Sequence, residues 1–250
     1  MNNEIITFHK AEDNFFSLVS FSRKDYGNLI AYTTGVQASG LNPAIVNKID
    51  EPFEKNITTC QSFYTQNELP WALVLPEYLY SQSIDYLLQK HELELTGLGV
   101  GMMALITEIV FPKLHTPLTV KKITEDLKDW SMPLIHGFES TPEVTGVYTQ
   151  RHESACQSGV NLVHFSGFIN DTAVCSLSLS LCDDYARIDD VATIPAFQKK
   201  GYATQLIYAA LDYAKQLNVT RCFLEASKSG LSLYKKMGFK ELFINRYYEP

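Results

Sequence analysis

A short basic loop over residues 198–203 holds the groups best suited to binding an anion. The loop reads QKKGYA, and it separates an alternating β-type run from an apolar-periodic run that ends near Leu217, which predicts strand, loop and helix. Lys199, Lys200 and Gly201 lie where the free N–H groups and the positive end of that helix converge. Gly201 can also adopt a positive φ and let a ligand approach the backbone. The loop therefore predicts a phosphate site, although by itself it also fits a plain turn with solvated lysines.

The elements that hold this loop alternate between strand and helix. Asn170-Asp171 separates two β-type runs and predicts a hairpin. The expected order after it is a strand from Ala186, a helix at Gly201–Leu217, a strand at Cys222–Glu225, a helix at Gly230–Met237 and a strand at Phe239–Tyr248. This order predicts a mixed α/β fold.

The first part of the chain has the same alternation but no basic glycine loop. A helix is expected to start near Asp13, and a further helix is expected at Thr124–Trp130 with Thr124 as its N-cap. The stretch Phe111–Pro117 holds two prolines and little periodicity, so it is expected to connect two units. The predicted domains are residues 1–117 and 118–250.

Composition favours a folded protein of the cytoplasm. The chain has 250 residues, of which 46% are hydrophobic, so substantial cores are expected. The longest uncharged apolar run, Leu98–Ile106, is far shorter than a membrane span, and the N-terminus lacks an apolar signal core. The five cysteines show no CxxC pair, and no spacing of His, Cys, Asp or Glu suggests a metal site. We expect reduced thiols, no metal and no membrane partner.

Charge argues against nucleic acid as a partner. The formal net charge is −7, and the first 130 residues carry 10 basic against 16 acidic side chains, whereas the remainder carries 11 against 12. Binding to a phosphate backbone needs clustered cations, which this distribution does not provide. An acidic surface could attract a cationic ligand, but it more often serves solubility.

Two segments in the second half resemble the signatures of the GNAT superfamily of CoA-dependent N-acyltransferases. Residues 191–203, VATIPAFQKKGYA, are similar to its Q/R-x-x-G-x-G/A motif, and residues 224–239, LEASKSGLSLYKKMGF, are similar to the motif that ends in L-Y-x-x-x-G-F. Their order and the helix and strand between them strengthen the match. The resemblance implies a mixed, mostly antiparallel sheet with a splayed central strand flanked by helices. It also suggests two GNAT-like halves, the first of them degenerate.

The resemblance also implies which residues would bind acetyl-CoA as co-substrate. The pantetheine arm would pair with the backbone of Val191, Ala192 and Thr193. The pyrophosphate would lie on the loop and first helical turn, at Lys199, Lys200, Gly201, Tyr202, Ala203 and Thr204. Ser227 matches a position that often contacts CoA, or it simply caps a helix. Gln198 and Ala203 replace the Arg and the second Gly of many members.

The implied chemistry is transfer of an acetyl group to a primary amine on a small molecule, peptide or protein. Tyr234 matches the tyrosine that often protonates the leaving thiolate, and its alternative is packing on Phe239. Glu225 matches a base used by some members, with Asp190 as its rival and a water chain as a third possibility. A non-catalytic acyl-CoA-binding or regulatory module is the alternative function. The acceptor, the acyl length and the oligomeric state carry no sequence signal.

Overall fold

The computed structural model describes residues 2–113 and 115–250, which form seven α-helices and eleven β-strands. The helices are α1 Asn3–Val19, α2 Phe53–Gln66, α3 Gln82–Lys90, α4 Lys128–Gly137, α5 Pro142–Gln157, α6 Tyr202–Gln216 and α7 Leu231–Lys236. The strands are β1 Ser22–Asp25, β2 Leu29–Thr33, β3 Pro43–Val46, β4 Ala72–Pro76, β5 Glu94–Leu105, β6 Thr119–Ile123, β7 Leu162–Ile169, β8 Thr172–Cys182, β9 Tyr185–Thr193, β10 Arg221–Ala226 and β11 Lys240–Glu249.

All eleven strands form one mixed sheet in the order β1-β2-β3-β4-β11-β5-β10-β9-β8-β7-β6. Strands β3 and β4 pair in parallel, as do β9 and β10, and the other neighbouring pairs are antiparallel. The run β1 to β4 followed by β11 mirrors the run β7 to β10 followed by β5. The two halves therefore have the same order, and each contributes its last strand to the other half. The predicted fold class is confirmed.

The helices cover both faces of this sheet, because the strands are apolar on both sides. On one face, α6 buries an apolar stripe of Leu206, Ile207, Ala210, Leu211 and Ala214 against the second half. Helices α2 and α3 cover the same face of the first half. The opposite face carries α1, which crosses the centre of the sheet, together with α4 and α5. The helix α1 packs against α5 and so connects the two halves on that face.

Two predicted helix starts were wrong. Helix α1 begins at Asn3, ten residues before the expected Asp13, and the side chain of Asn2 accepts a hydrogen bond from the backbone N–H of Glu4. Helix α4 begins at Lys128, because Asp126 has a φ of 39° and interrupts the expected start at Thr124. Within the described residues, no helix is long and apolar enough to span a membrane.

Candidate active site

A gap opens between the parallel strands β9 and β10 near their C-terminal ends. The two strands pair from Tyr185 with Arg221 as far as Ile188 with Leu224. Beyond that point β9 pairs only with β8, and the end of β10 pairs only with β5. The backbone edge of residues 191–193 therefore faces the gap with its hydrogen-bonding groups unused by β10. A splayed central strand was expected from the family resemblance and is present here.

A β-bulge in β9 lies at the beginning of this gap. Ser178 is paired with Asp189 and Ser176 with Ala192, so β9 has one more residue than β8 between these pairs. Asp190 takes a left-handed φ of 57° at the bulge. An extra residue changes the alternation of side chains along a strand. Asp189 and Asp190, although consecutive, therefore both lie on the face covered by α1 and α5.

The carboxylate of Asp190 lies in a buried polar cluster. Its Oδ1 accepts a hydrogen bond of 2.9 Å from the Tyr148 hydroxyl, and its Oδ2 lies 3.7 Å from His152 Nε2. The Asp190 side chain is 9% exposed. Burial, followed by the charge of Asp189, raises the pKa of Asp190 from 3.8 to about 7. A carboxyl group with that pKa can accept a proton near neutral pH.

Asp190 and Tyr148 line a cavity of about 570 Å³ between the two halves. The second half contributes residues of α4 and α5 and of the segment that joins them. The first half contributes the connection between β2 and β3, over residues 36–41. The volume lies in the range of small-molecule sites, which is about 300–1,000 Å³. The cavity reaches Asp190, which directly precedes the three β9 residues at the gap.

The predicted anion loop follows β9 and leads into α6. Gly201, at the N-cap of α6, has a φ of 83°, and Lys199 has a φ of 60°. Gln198 and Lys200 bond back to the loop, since the Gln198 amide donates to Thr193 O and the Lys200 ammonium donates to Ala196 O. Lys199, Lys200 and Gly201 are exposed. The first-turn N–H groups of α6, at Tyr202, Ala203 and Thr204, have no helical acceptor because they lie at the N-terminus of the helix.

Tyr234 lies within α7 on the α6 side of the sheet, and Ser227 lies in the turn between β10 and α7. The side chain of Tyr234 is buried, and its ring makes an edge contact with Phe239 at 5.9 Å between centroids. Burial and the charge of Asp189 raise the pKa of the Tyr234 phenol above its ordinary value, which keeps it protonated. Ser227 is exposed, and its Oγ accepts from the backbone N–H of Gly230. That contact closes the turn before α7, whose N-cap is Gly230, so Ser227 does not cap the helix.

Glu225 lies on the opposite face from Tyr234, near the end of β10. Its carboxylate accepts hydrogen bonds from the Asn245 amide and the Tyr247 hydroxyl of β11. A Cβ on Gly99 would lie 2.0 Å from its Oε1, so the absence of a side chain on β5 makes room for it. Burial raises the pKa of Glu225. The two candidate bases therefore share a face of the sheet, but Asp190 alone of the two lines the cavity.

The first half has no counterpart of the basic loop in the connection between β3 and α2. This connection carries Asp50 and Glu51, and Glu54 follows in the first turn of α2. Lys48 is paired with Asp50 at 2.8 Å. Carboxylates at a helix N-terminus compete with an anionic ligand for the positive helix end. Within the part of the chain described here, no group of three His, Cys, Asp or Glu side chains is arranged to hold a metal.

Sequence reasoning did not identify Tyr148 or the wall formed by residues 36–41. Tyr148 belongs to an amphipathic helix, where a tyrosine at an inward position is indistinguishable from packing. Residues 36–41 belong to the first half. They lie next to the second half only because the strands of both halves form one sheet. The sequence could have indicated Tyr148 only through its spacing from Thr145 and His152, which are also buried in α5.

The second half of the chain matches a known protein family. Residues 125–239 match the model of the acetyltransferase (GNAT) family. This part of the chain belongs to the GNAT family. A curated relative, a ribosomal protein bS18-alanine N-acetyltransferase of Haemophilus ducreyi, is 31% identical over 81 residues, which are 31% of this chain and 53% of the relative. The chain thus spans about half the length of that relative.

Solved structures extend the GNAT fold to nearly the whole chain. A GCN5-related N-acetyltransferase from Kribbella flavida aligns with a TM-score of 0.70 at 12% identity, covering 98% of this chain and 95% of that one. A tandem GNAT protein from the clavulanic acid biosynthesis pathway aligns with a TM-score of 0.62 at 11% identity, covering 89% and 78%. At such identities the alignments establish the fold alone. They support the description of two GNAT-like halves.

Proposed function

We propose that the chain is an N-acetyltransferase that moves an acetyl group from acetyl-CoA to a primary amine. The observation that carries this proposal is the gap between β9 and β10. The anion loop lies beyond the C-terminal end of β9, and the cavity that contains Asp190 lies on the face covered by α1, α4 and α5. A donor in the gap would thus meet an acceptor in the cavity. Family membership of residues 125–239 supports the same reaction.

The residues around the gap fit acetyl-CoA. The αL conformation of Gly201 and the unpaired amides of the first turn of α6 form a cradle for a pyrophosphate, with Lys199 and Lys200 adding charge. The free edge of residues 191–193 can pair with the amides of a pantetheine arm, and Ser227 directly follows the end of β10. Acetyl-CoA supplies the activated acetyl group.

Asp190 and Tyr234 are our candidates for moving the two protons that the reaction requires. The amine must lose a proton to become nucleophilic, and the departing thiolate must gain one. Asp190 lines the cavity and has a raised pKa near neutrality, so it is favoured as the base. Glu225 remains the alternative base, although Asn245 and Tyr247 already occupy both of its oxygens. Tyr234 stays protonated on the other face, as a general acid requires.

Calorimetry with acetyl-CoA, followed by a thiol-release assay over a panel of amines, tests this proposal. We expect one acetyl-CoA per chain, because the first half carries carboxylates where the second half carries the basic loop. We also expect thiol release that depends on the amine. Binding without turnover over the whole panel would favour a non-catalytic acyl-CoA-binding module. Two molecules of acetyl-CoA per chain would contradict the assignment of the first half as cofactor-free.

A further inference from the structure

The wall of the cavity between the two halves is mostly apolar. Its apolar side chains come from both halves and are Val36, Ala38, Leu41, Leu134, Phe138 and Val144. Val36 and Leu134 are almost fully buried, so they form a fixed floor rather than a mobile rim. Such a wall favours a ligand with a compact hydrocarbon or aromatic body, because burial of its apolar surface stabilises the complex.

The charges in this wall have a single sign. Asp190 is the buried carboxylate, Glu139 is exposed at the rim, and no Lys, Arg or His belongs to the lining that the structure describes. Tyr148 hydroxyl donates to Oδ1 of Asp190, whereas Oδ2 is buried without a hydrogen-bond partner among the described residues. A buried carboxylate oxygen without a donor is unfavourable. His152 Nε2 lies 3.7 Å from Oδ2, but burial lowers the pKa of His152 and keeps it neutral. An ammonium in the cavity would therefore supply the positive charge that the carboxylate lacks.

We propose that the cavity selects an amine that carries no carboxylate, attached to a compact apolar body, and that it rejects free amino acids. The ammonium group pairs with the carboxylate of Asp190, and the body packs on the apolar wall. A carboxylate on the carbon next to the amine would lie close to Asp190 with no cation to pair with it. Like charges in a desolvated site oppose binding strongly. This inference rests on the proposed function for its catalytic meaning, but binding to the cavity can be measured without acetyl transfer.

Three probes with the same phenylethylamine body test the proposal by calorimetry on the unmodified protein. The probes are 2-phenylethylamine, L-phenylalanine and L-phenylalaninamide, which differ in the group next to the amine. We expect the first and the third to bind and L-phenylalanine to bind at least tenfold more weakly, since the amide has the bulk of the carboxylate without its charge. Equal binding of all three would overturn the proposal. Binding of N-terminal peptides together with failure of the three probes would also overturn it, in favour of a peptide acceptor.

A charge variant locates the binding in the cavity. Val144 is a half-buried wall residue in the first turn of α5, and Gln150 is exposed on the same helix outside the cavity. Val144→Lys should weaken binding of 2-phenylethylamine at least tenfold and reduce the discrimination against L-phenylalanine. Gln150→Lys adds the same charge to the same helix and should change neither. Equal effects of both variants would contradict the cavity assignment.

The two proposals can fail separately. If the probes bind in the expected order but no amine is acetylated, the result supports selection by the cavity and contradicts the proposed acetyltransferase activity. If acetylation occurs with L-phenylalanine as readily as with 2-phenylethylamine, the activity stands and the substrate class is wrong.

Discussion

Asp190 shows how one backbone irregularity changes the role of a side chain. In a regular strand, Asp189 and Asp190 would face opposite sides of the sheet, and only one of them could reach the cavity face. The bulge in β9, with the φ of 57° at Asp190, places both on that face. The negative charge of Asp189 then contributes to the raised pKa of Asp190. Two neighbouring aspartates thus produce one carboxyl group suited to accept a proton near neutral pH.

The first prediction concerns the pH dependence of Asp190→Asn. In the parent protein, kcat/KM should rise with pH and level off above about 7, because the base must be deprotonated. The variant should lose this pH dependence, and its kcat should fall at least about tenfold. A general base typically raises the rate roughly 10²–10⁴-fold. Glu225→Gln is the matched control and should leave the pH dependence in place. The opposite pattern would make Glu225 the base.

The same substitution has a stability readout that needs no substrate. The folded state holds the Asp190 proton up to about pH 7, whereas the unfolded state loses it near 3.8. The folded state therefore binds more protons in that window, and the free energy of unfolding should fall as pH rises through it. Asp190→Asn should flatten that slope in urea unfolding series at several pH values. An unchanged slope would show that the carboxyl group is not buried as described.

Tyr234→Phe tests the proposed general acid on the other face of the sheet. The substitution removes only the hydroxyl, so the edge contact with Phe239 and the fold should persist. Affinity for acetyl-CoA should stay within about twofold, while kcat with a good acceptor should fall at least about tenfold, which is about 1.4 kcal/mol of barrier. The check is steady-state kinetics together with calorimetry. Turnover at the parent rate would identify Tyr234 as a packing residue.

Residue roles were predictable from the sequence only where they depend on a local motif. The loop Lys199–Thr204 and the tyrosine at position 234 were found because each lies in a short segment of typical spacing. Their roles stay predictions until they are measured. Asp190 could be named only as a rival to Glu225, because the orientation of its side chain depends on a bulge relative to β8. Bulges are set by pairing with a neighbouring strand and carry little local signal.

At the scale of elements, the turn from β9 into α6 depends on the conformation of Gly201. Gly201→Asp places a side chain at a φ of 83°, which Asp and Asn adopt less readily than glycine, and adds a negative charge at the helix N-terminus. Affinity for acetyl-CoA should fall by at least about 2 kcal/mol, roughly 30-fold. Gly201→Asn is the matched control, since Asn tolerates the αL region and is uncharged. It should retain most of the affinity, as measured by calorimetry, and circular dichroism should show that both variants fold.

The Gly201 pair of variants separates charge from backbone strain. If Gly201→Asn weakens binding as much as Gly201→Asp, the cause is the backbone and not the charge. If neither variant weakens binding, the pyrophosphate does not lie at the start of α6, and the assignment of Lys199–Thr204 is wrong.

Most elements of the second half were predictable, because each has a clear hydrophobic periodicity and is bounded by residues typical of turns or helix ends. The predicted hairpin, the helix that became α6 and the α7 region were confirmed to within two residues at each end. The start of α4 was not predictable because Thr124 has the composition of a cap, whereas Asp126 adopts a positive φ that ends the preceding segment. Pro133 inside α4 also weakened the helical signal.

At the scale of the whole molecule, the exchange of β5 and β11 makes the halves interdependent. Strand β11 pairs with β4 on one side and β5 on the other, while β5 pairs with β10 and β11. No local sequence pattern indicates this order. The sequences of β5 and β11 are those of ordinary strands, and each strand would be expected to pair within its own half. The pairing depends on contacts between residues more than 100 positions apart, for example Asn245 with Gly99.

Fragments 1–117 and 118–250 test this interdependence. Each fragment retains a last strand whose natural neighbour belongs to the other fragment, which leaves a long unpaired edge. We expect both fragments to aggregate or remain unfolded when expressed alone, and to form a folded 1:1 complex when expressed together. Size-exclusion chromatography and circular dichroism provide the check. Two independently folded, soluble fragments would mean that the exchanged strands return to their own halves.

The exchanged strands also limit how the amine can enter. In a protein made of two separately closed domains, a cleft between them can widen by rotation about a hinge. Here such a rotation would have to break the backbone hydrogen bonds between β5 and β11, between β4 and β11, or between β5 and β10. The sheet is thus a rigid rear wall for the cavity. An acceptor of the proposed reaction would therefore reach the cavity from the side of the residue 36–41 connection and the α4–α5 segment, and not by opening of the sheet.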